Sequence, residues 1–222
     1  MKLSYSTHKP FEIENGKLNV VATNNQVVYR DLILGLKGQS DLLKVFDDDL
    51  NFTEINKSFD WAGDLMIQQN INKKYMPIIL KKMFTTMPDQ QRNRIHEATT
   101  SLDNAIQESL YLADLPVKVT YDFDLKKALK FTDTHLNQET LDDPYDIIKT
   151  IIKIHKMCEL KSCLVICNVA HYMVADQVKG LSEFLQDVIQ PILLIEFTDM
   201  KQASFYSDCN FYYIDRDFVD WY

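Results

Sequence analysis

The chain has 222 residues, 46% of them hydrophobic, and a net charge of −8. That is enough apolar content for one large domain or for a core domain with a smaller unit. Only 5 Gly and 6 Pro exclude a loop-rich or low-complexity chain. The sequence has no run of about 18 apolar residues to cross a membrane, and its opening, MKLSYSTHKPFEIENG, lacks an apolar leader, so a cytoplasmic protein is expected.

From Lys2 to about Asp64 the pattern reads as short strands around one helix: KLSYS, FEIE, KLNVVAT, the helix, LLKVF and FTEI. KLNVVAT alternates and is rich in β-branched residues, Asn24-Asn25 supply a helix cap, and VVYRDLILGLK carries apolar residues at helical spacing. A strand running into a helix is where a phosphate cradle would sit, yet Asn24-Asn25, the residues of this joint, include no Gly, Lys, Ser or Thr for one. The letters of such a loop occur further on, in Gly35-Leu36-Lys37-Gly38-Gln39-Ser40, but Lys37 precedes Gly38 instead of following it. These glycines read as a helix stop. The expectation is therefore a nucleotide-binding architecture without a phosphate site, and no bound nucleotide. Asp47-Asp48-Asp49 reads as an acidic turn ending a strand.

A helical stretch follows. LMIQQNINKKYMPIILKKMF places Ile67, Ile71, Tyr75, Ile78 and Ile79 on one side. Lys74 and Lys81 share the other side, flanked by Lys73 and Lys82. Pro77 should kink this helix or start its second half, and Pro88 suits the first turn of the next. There Ile95, Ala98, Leu102, Ala105, Ile106, Leu110 and Ala113 recur at steps of three and four, as in a two-helix seam about 37 Å long. Between Leu65 and Thr100 the bases Lys73, Lys74, Lys81, Lys82, Arg92 and Arg94 face only Asp89 and Glu97, a net +4 that leaves −12 for the remainder. An acidic protein with one basic limb can bind a polyanion there. His96 reads as a surface residue.

After Leu115-Pro116 come a strand, VKVTYDF, an acidic loop region, and a helix, PYDIIKTIIKIHKMCEL. The apolar face of that helix is Ile147, Ile148, Ile151, Ile154 and Cys158; Lys149, Lys153 and Lys156 form a solvated stripe opposite. His155, Cys158, Cys163 and Cys167 invite a zinc reading. SCLVICN, however, is a buried strand that holds its two sulfurs about 13 Å apart, too far for one ion with bonds near 2.3 Å. SCLVICN, VADQVKGLSEFLQDVI and PILLIEF then form a right-handed βαβ unit in a sheet covered on both faces. NFYYI is a last strand before an acidic, aromatic end suited to core or subunit packing. The fold class expected is α/β, with a discontinuous head (1–64 and 117–222) and an inserted all-helical leg (65–116).

LLKVFDDDLNF, KSCLVICNVAHYM with DQVKGLSEFLQ, PILLIEF and NFYYIDRDF together resemble the CRISPR-associated adaptation protein of type II-A systems, in its shorter branch. The likeness covers nearly the whole chain, is strongest in the two head segments, and rests on order and spacing. The resemblance implies a degenerate P-loop-type α/β head with a helical leg. Four subunits would close a ring, with calcium in the leg region and linear double-stranded DNA through a positive hole. It also implies a part in acquiring new spacers beside the integrase complex and the RNA-guided effector nuclease. The matching acidic stretch here is TYDFDLKKALKF, which keeps Asp122 and Asp124 as metal ligands but has Lys126 and Lys127 close behind. Calcium needs six to eight oxygens, so Asp133, Asp142 and Asp143 would have to complete the shell. Two aspartates at a helix N-terminus are the plain alternative.

The expected function is non-enzymatic binding of DNA ends through Lys73, Lys74, Lys81, Lys82, Arg92 and Arg94, without base reading. A diverged NTPase or nuclease, and a protein-only scaffold, are the rival readings.

Overall fold

A computed structural model describes residues 1–67, 71–112, 122–137 and 141–221. They form two compact units, Met1–Asn70 with Gln138–Tyr222, and Ile71–Asn137. The first is the α/β unit.

This unit opens with β1 (Lys2–Tyr5), β2 (Phe11–Glu12) and β3 (Leu18–Thr23), then α1 (Gln26–Leu36), β4 (Leu43–Phe46), β5 (Phe52–Thr53), the short α2 (Ile55–Ser58) and β6 (Phe59–Gly63). The second unit contributes α3 (Ile71–Thr86), α4 (Asp89–Tyr111) and α5 (Leu125–Phe131). The chain then returns through α6 (Pro144–Cys158), β7 (Cys163–Cys167), α7 (Ala175–Val188), β8 (Ile192–Phe197), β9 (Asn210–Ile214) and β10 (Asp220–Trp221).

The main sheet has the order β10-β9-β3-β8-β7-β6. All its neighbours run parallel except β10, which turns back on β9. Parallel strands inside such a sheet are buried on both faces, which is why β3, β7 and β8 are nearly continuous apolar runs. Side chains alternate along each strand. Val21, Val165, Leu193 and Ile195 join Val28, Leu32 and Leu36 of α1 and Leu3, Tyr5 and Val45 of the small antiparallel sheet β2-β1-β4-β5 in one core. The alternate set, Val20, Leu164, Ile166 and Leu194, is equally buried. On that side α7, packed on α6, lies against β3. The expected β7–α7–β8 unit is present, with Leu164 opposite Ile192 on adjacent parallel strands.

Gly35 and Gly38 do end α1. Gly38 has φ +68, and the Gly38 and Gln39 N–H groups donate to Gly35 and Leu34 carbonyls at 2.9 and 2.8 Å, a left-handed helix stop. Gly35 allows close approach to β4, since a Cβ there would lie 2.5 Å from Leu43 Cγ. The triple-aspartate stretch is a hairpin tip: Asp47 Oδ1 accepts from the Asp49 and Asn51 N–H groups.

Several expectations need correction. β6, Phe-Asp-Trp-Ala-Gly, is a strand the pattern did not disclose. It lacks β-branched alternation and has one partner only, as the edge of the sheet, with an irregularity between Trp61 and Gly63. α3 is described from Ile71 rather than Leu65; Ile67 lies in a turn, its N–H donating to the Asp64 carbonyl, and is 78% exposed instead of facing a helical core. Finally, the α4 seam is not sealed. Asp103 is the buried residue of α4, while Leu102 and Ile106 each remain 45% exposed. The reason is length: α4 has 23 residues, but the helix packed against it is α5, with seven. Ala113, and residues 117–121 of the expected VKVTYDF strand, lie outside the described residues. Residues 122–124 are not strand, and α5 stands where a loop was expected. Because α5 packs on α4, the compact helical unit extends to Asn137, past the expected limit at 116.

Candidate nucleic-acid interface

The strand–helix joint after β3 shows what stands where a nucleotide phosphate would lie. Asn25 caps α1: its Oδ1 accepts from the Val27 and Val28 N–H groups at 2.9 and 3.3 Å. Its Nδ2 donates to the Arg216 carbonyl at 3.1 Å, and its own N–H donates to Thr23 Oγ1. Two of the donors at this helix end are thus satisfied by a side chain of the chain itself.

A polar cluster at the carboxyl ends of the strands was not legible beforehand. Glu196, at the end of β8, is 1% exposed and accepts from the Val169 N–H at 2.8 Å. Burial raises its carboxyl to about 7, and the nearby Asp64 charge pushes the same way, against the backbone donors. Asn168 begins a short 3-10 turn, Val169–His171, and its Oδ1 accepts from the Tyr29 hydroxyl at 3.1 Å. One signal was available, an acid closing the otherwise apolar run PILLIEF. Another buried network links units of sequence far apart. Gln190 Nε2 donates to His155 Nδ1 at 3.2 Å, so the imidazole carries its proton on Nε2 and donates it to Asp60 Oδ2 at 2.8 Å. His155 is thus a core histidine that ties α6 to the edge strand β6. Cys163 and Cys167 are free thiols within β7, and burial pushes both well above the usual thiol range.

The basic groups lie in the helical unit. On α3, Ile71, Tyr75 and Ile79 are buried while Lys73, Lys74 and Lys81 are exposed and Lys82 is half-buried, the division expected from helical spacing. Arg92 and Arg94 are exposed on the first turns of α4. Beyond this, Phe84 of α3 meets cations from α4 and α5. Arg92 Nη2 donates to the Phe84 carbonyl at 3.1 Å, and Lys126 Nζ of α5 stands 6.0 Å from the centre of its ring. Lys81, three residues before Phe84, shares its helix face. Lys127 and Lys130 of α5 are also exposed. Sequence reading misses the α5 lysines because their segment reads as an acidic loop.

Asp122 is exposed, and Asp124 is the N-cap of α5, its Oδ1 accepting from the Lys126 N–H at 2.8 Å. Asp143 caps α6 in the same way, in the other unit. Among the described residues no three carboxylate, histidine or cysteine side chains gather around a point that could hold a metal ion. The carboxylates described do not make a calcium shell.

No family profile matches this chain, and no curated protein does. Among solved structures it is similar to Stu0660 of Streptococcus thermophilus, with 10% sequence identity and a TM-score of 0.56 over 97% of this chain and 74% of that one. The two share a fold.

On α6, Lys153 and Lys156 are exposed. Lys149 instead covers two aromatic rings, 4.9 Å from Tyr145 and 5.4 Å from Phe184. The stripe is a solvated face with one lysine spent on packing.

Proposed function

We propose that the chain binds linear double-stranded DNA ends without reading sequence, as a ring of four copies acting in CRISPR spacer acquisition. The observation that carries this is the meeting of Arg92 and Lys126 at Phe84, one helical turn after Lys81, within a helical unit that also presents Lys73, Lys74, Lys82 and Arg94. Such groups neutralise phosphates and release counterions, which gives affinity without base recognition. A ring admits duplex only at an end. The CRISPR setting, the four-fold ring and the partners, the integrase complex and the RNA-guided effector nuclease, come from the sequence resemblance; the shared fold with Stu0660 is compatible with them.

No catalytic role is assigned to any residue. The cap geometry at Asn25 supports a reading without nucleotide. Calcium belongs to the reading through the resemblance alone. Asp122 and Asp124 would offer it oxygens, and the DNA contacts proposed above do not depend on it.

A gel shift comparing linear with covalently closed duplex, each with calcium and with chelator, tests the proposal. Retardation of linear DNA only is the expected result. Equal retardation of both forms removes the ring, and retardation of neither favours a protein-only scaffold. Calcium-dependent cleavage favours the nuclease.

A further inference from the structure

Within the helical unit, α4 and α5 enclose an open cleft of about 360 Å³. Its lining is largely apolar: Leu102 and Ile106 of α4, Ala128 and Phe131 of α5, and Phe123, whose ring lies edge-on to that of His96 with centroids 4.5 Å apart. Phe131 is 79% exposed, so a large aromatic of the lining is held in water. The remaining walls carry Asp103, Asp122 and Asp124 against one cation, Lys127.

Asp103 is the telling residue. It is 9% exposed, yet it lines an apolar cleft, and its hydrogen bond is an amide donation from Gln107 Nε2 to Oδ2 at 2.7 Å. Among the described residues no lysine, arginine or histidine forms an ion pair with Asp103, Asp122 or Asp124. A largely buried carboxylate without a counter-charge is costly, and three around one apolar depression create a local negative field inside an otherwise basic limb. DNA is repelled from such a place. An apolar group carrying a positive charge is drawn to it on both counts, by area removed from water and by charge pairing at low dielectric.

We infer that this cleft is a docking site for a partner protein's segment that presents an apolar side chain beside an arginine or lysine. The apolar group packs against Leu102, Ile106 and Phe131, and the cation meets Asp103 and Asp122. The cleft volume sits at the lower end of the range for specific pockets, which suits a short segment rather than a folded surface. This inference does not rest on the DNA reading, because the two surfaces are opposite in sign and are altered by different substitutions.

Fluorescence anisotropy with a labelled dodecapeptide of leucine and arginine in repeat, at about 0.15 M salt where the Debye length is about 8 Å, is the test. Its controls are the same peptide with neutral citrulline for arginine, and an octylammonium probe competing for the site. The arginine peptide is expected to bind saturably and at least about tenfold more tightly than the citrulline peptide, since each tenfold is about 1.4 kcal/mol. Asp103→Asn with Asp122→Asn should remove that difference. Glu183→Gln with Asp187→Asn, an equal charge change on the exposed face of α7, should leave it intact, and Ile106→Lys should abolish binding. Affinity for linear DNA should not fall in the Asp103→Asn variant. The inference is overturned if citrulline and arginine peptides bind alike, or if the α7 control weakens binding as much as the cleft variant. It is also overturned if nothing binds saturably, or if octylammonium binds where the peptide does not.

Discussion

The side-chain amide of Asn25 donates to the backbone carbonyl of Arg216 at 3.1 Å while its oxygen caps α1. One residue therefore closes the β3–α1 joint from inside and ties it to the chain's final segment. Asn25→Ala removes a cap and a long-range hydrogen bond. A loss of about 1–3 kcal/mol in denaturant unfolding is expected from the sum of the two effects. Calorimetric titration of the unaltered protein with ATP and magnesium should give no saturable heat; stoichiometric binding would revive the NTPase reading.

The cations at Phe84 and one turn before it should act together on DNA. Replacing Lys81, Arg92 and Lys126 with Gln should lower the slope of log affinity against log salt by about 0.9 for each phosphate that is no longer neutralised, whatever the duplex sequence. Circular dichroism should show an intact fold, since the three groups are exposed. Lys153→Gln with Lys156→Gln on α6 is the matched control and should leave the slope unchanged. If the α6 pair carries the salt dependence, the DNA surface lies on the α/β unit.

Glu196 predicts a particular pH dependence of stability. Its carboxyl is raised by burial from the ordinary value of 4.5 to about 7, so between those limits the folded state holds a proton that the unfolded state has released. Stability is then greatest below about pH 4.5 with respect to this group, declines through the interval, and levels off above about 7. At about 1.4 kcal/mol per unit, the whole effect is on the order of a few kcal/mol. Glu196→Gln should flatten this part of the profile and raise the melting temperature at pH 8. An unchanged slope between pH 5 and 7 in the variant would show that Glu196 is not the titrating group.

His155 is 0% exposed and donates to Asp60 across the core. His155→Ala leaves a cavity and deprives the Asp60 carboxylate of its imidazole donor, and a cost of about 2–5 kcal/mol is expected. Asp60→Asn keeps an acceptor oxygen and should cost less. Hydrogen exchange should report the loss first in β6, the edge strand that this bond anchors.

The sequence by itself determined the elements whose pattern is local. β3, β7 and β8 are apolar runs because parallel strands covered on both faces leave no polar side, and the amphipathic α6 and α7 carry their buried faces at helical spacing. The caps at Asn25 and Gly38 were readable because each follows from one residue's conformational or hydrogen-bonding capacity. What only the tertiary structure decided depends on partners distant along the chain. β6 is a strand because β7 offers it an edge and His155 holds its Asp60, not because Phe-Asp-Trp-Ala-Gly favours extended backbone. The apolar positions of α4 suggested a full seam, but periodicity carries no information on the length of the helix that will meet it, and the short α5 leaves Leu102 and Ile106 open. Lys81 and Arg92 stand out from the charge along the chain alone. That Lys126 joins Arg92 at Phe84, while Asp103, Asp122 and Asp124 stand around one cleft, was set by how α5 docks. Composition records how much charge a segment holds; the packing of short helices decides which charges share a place.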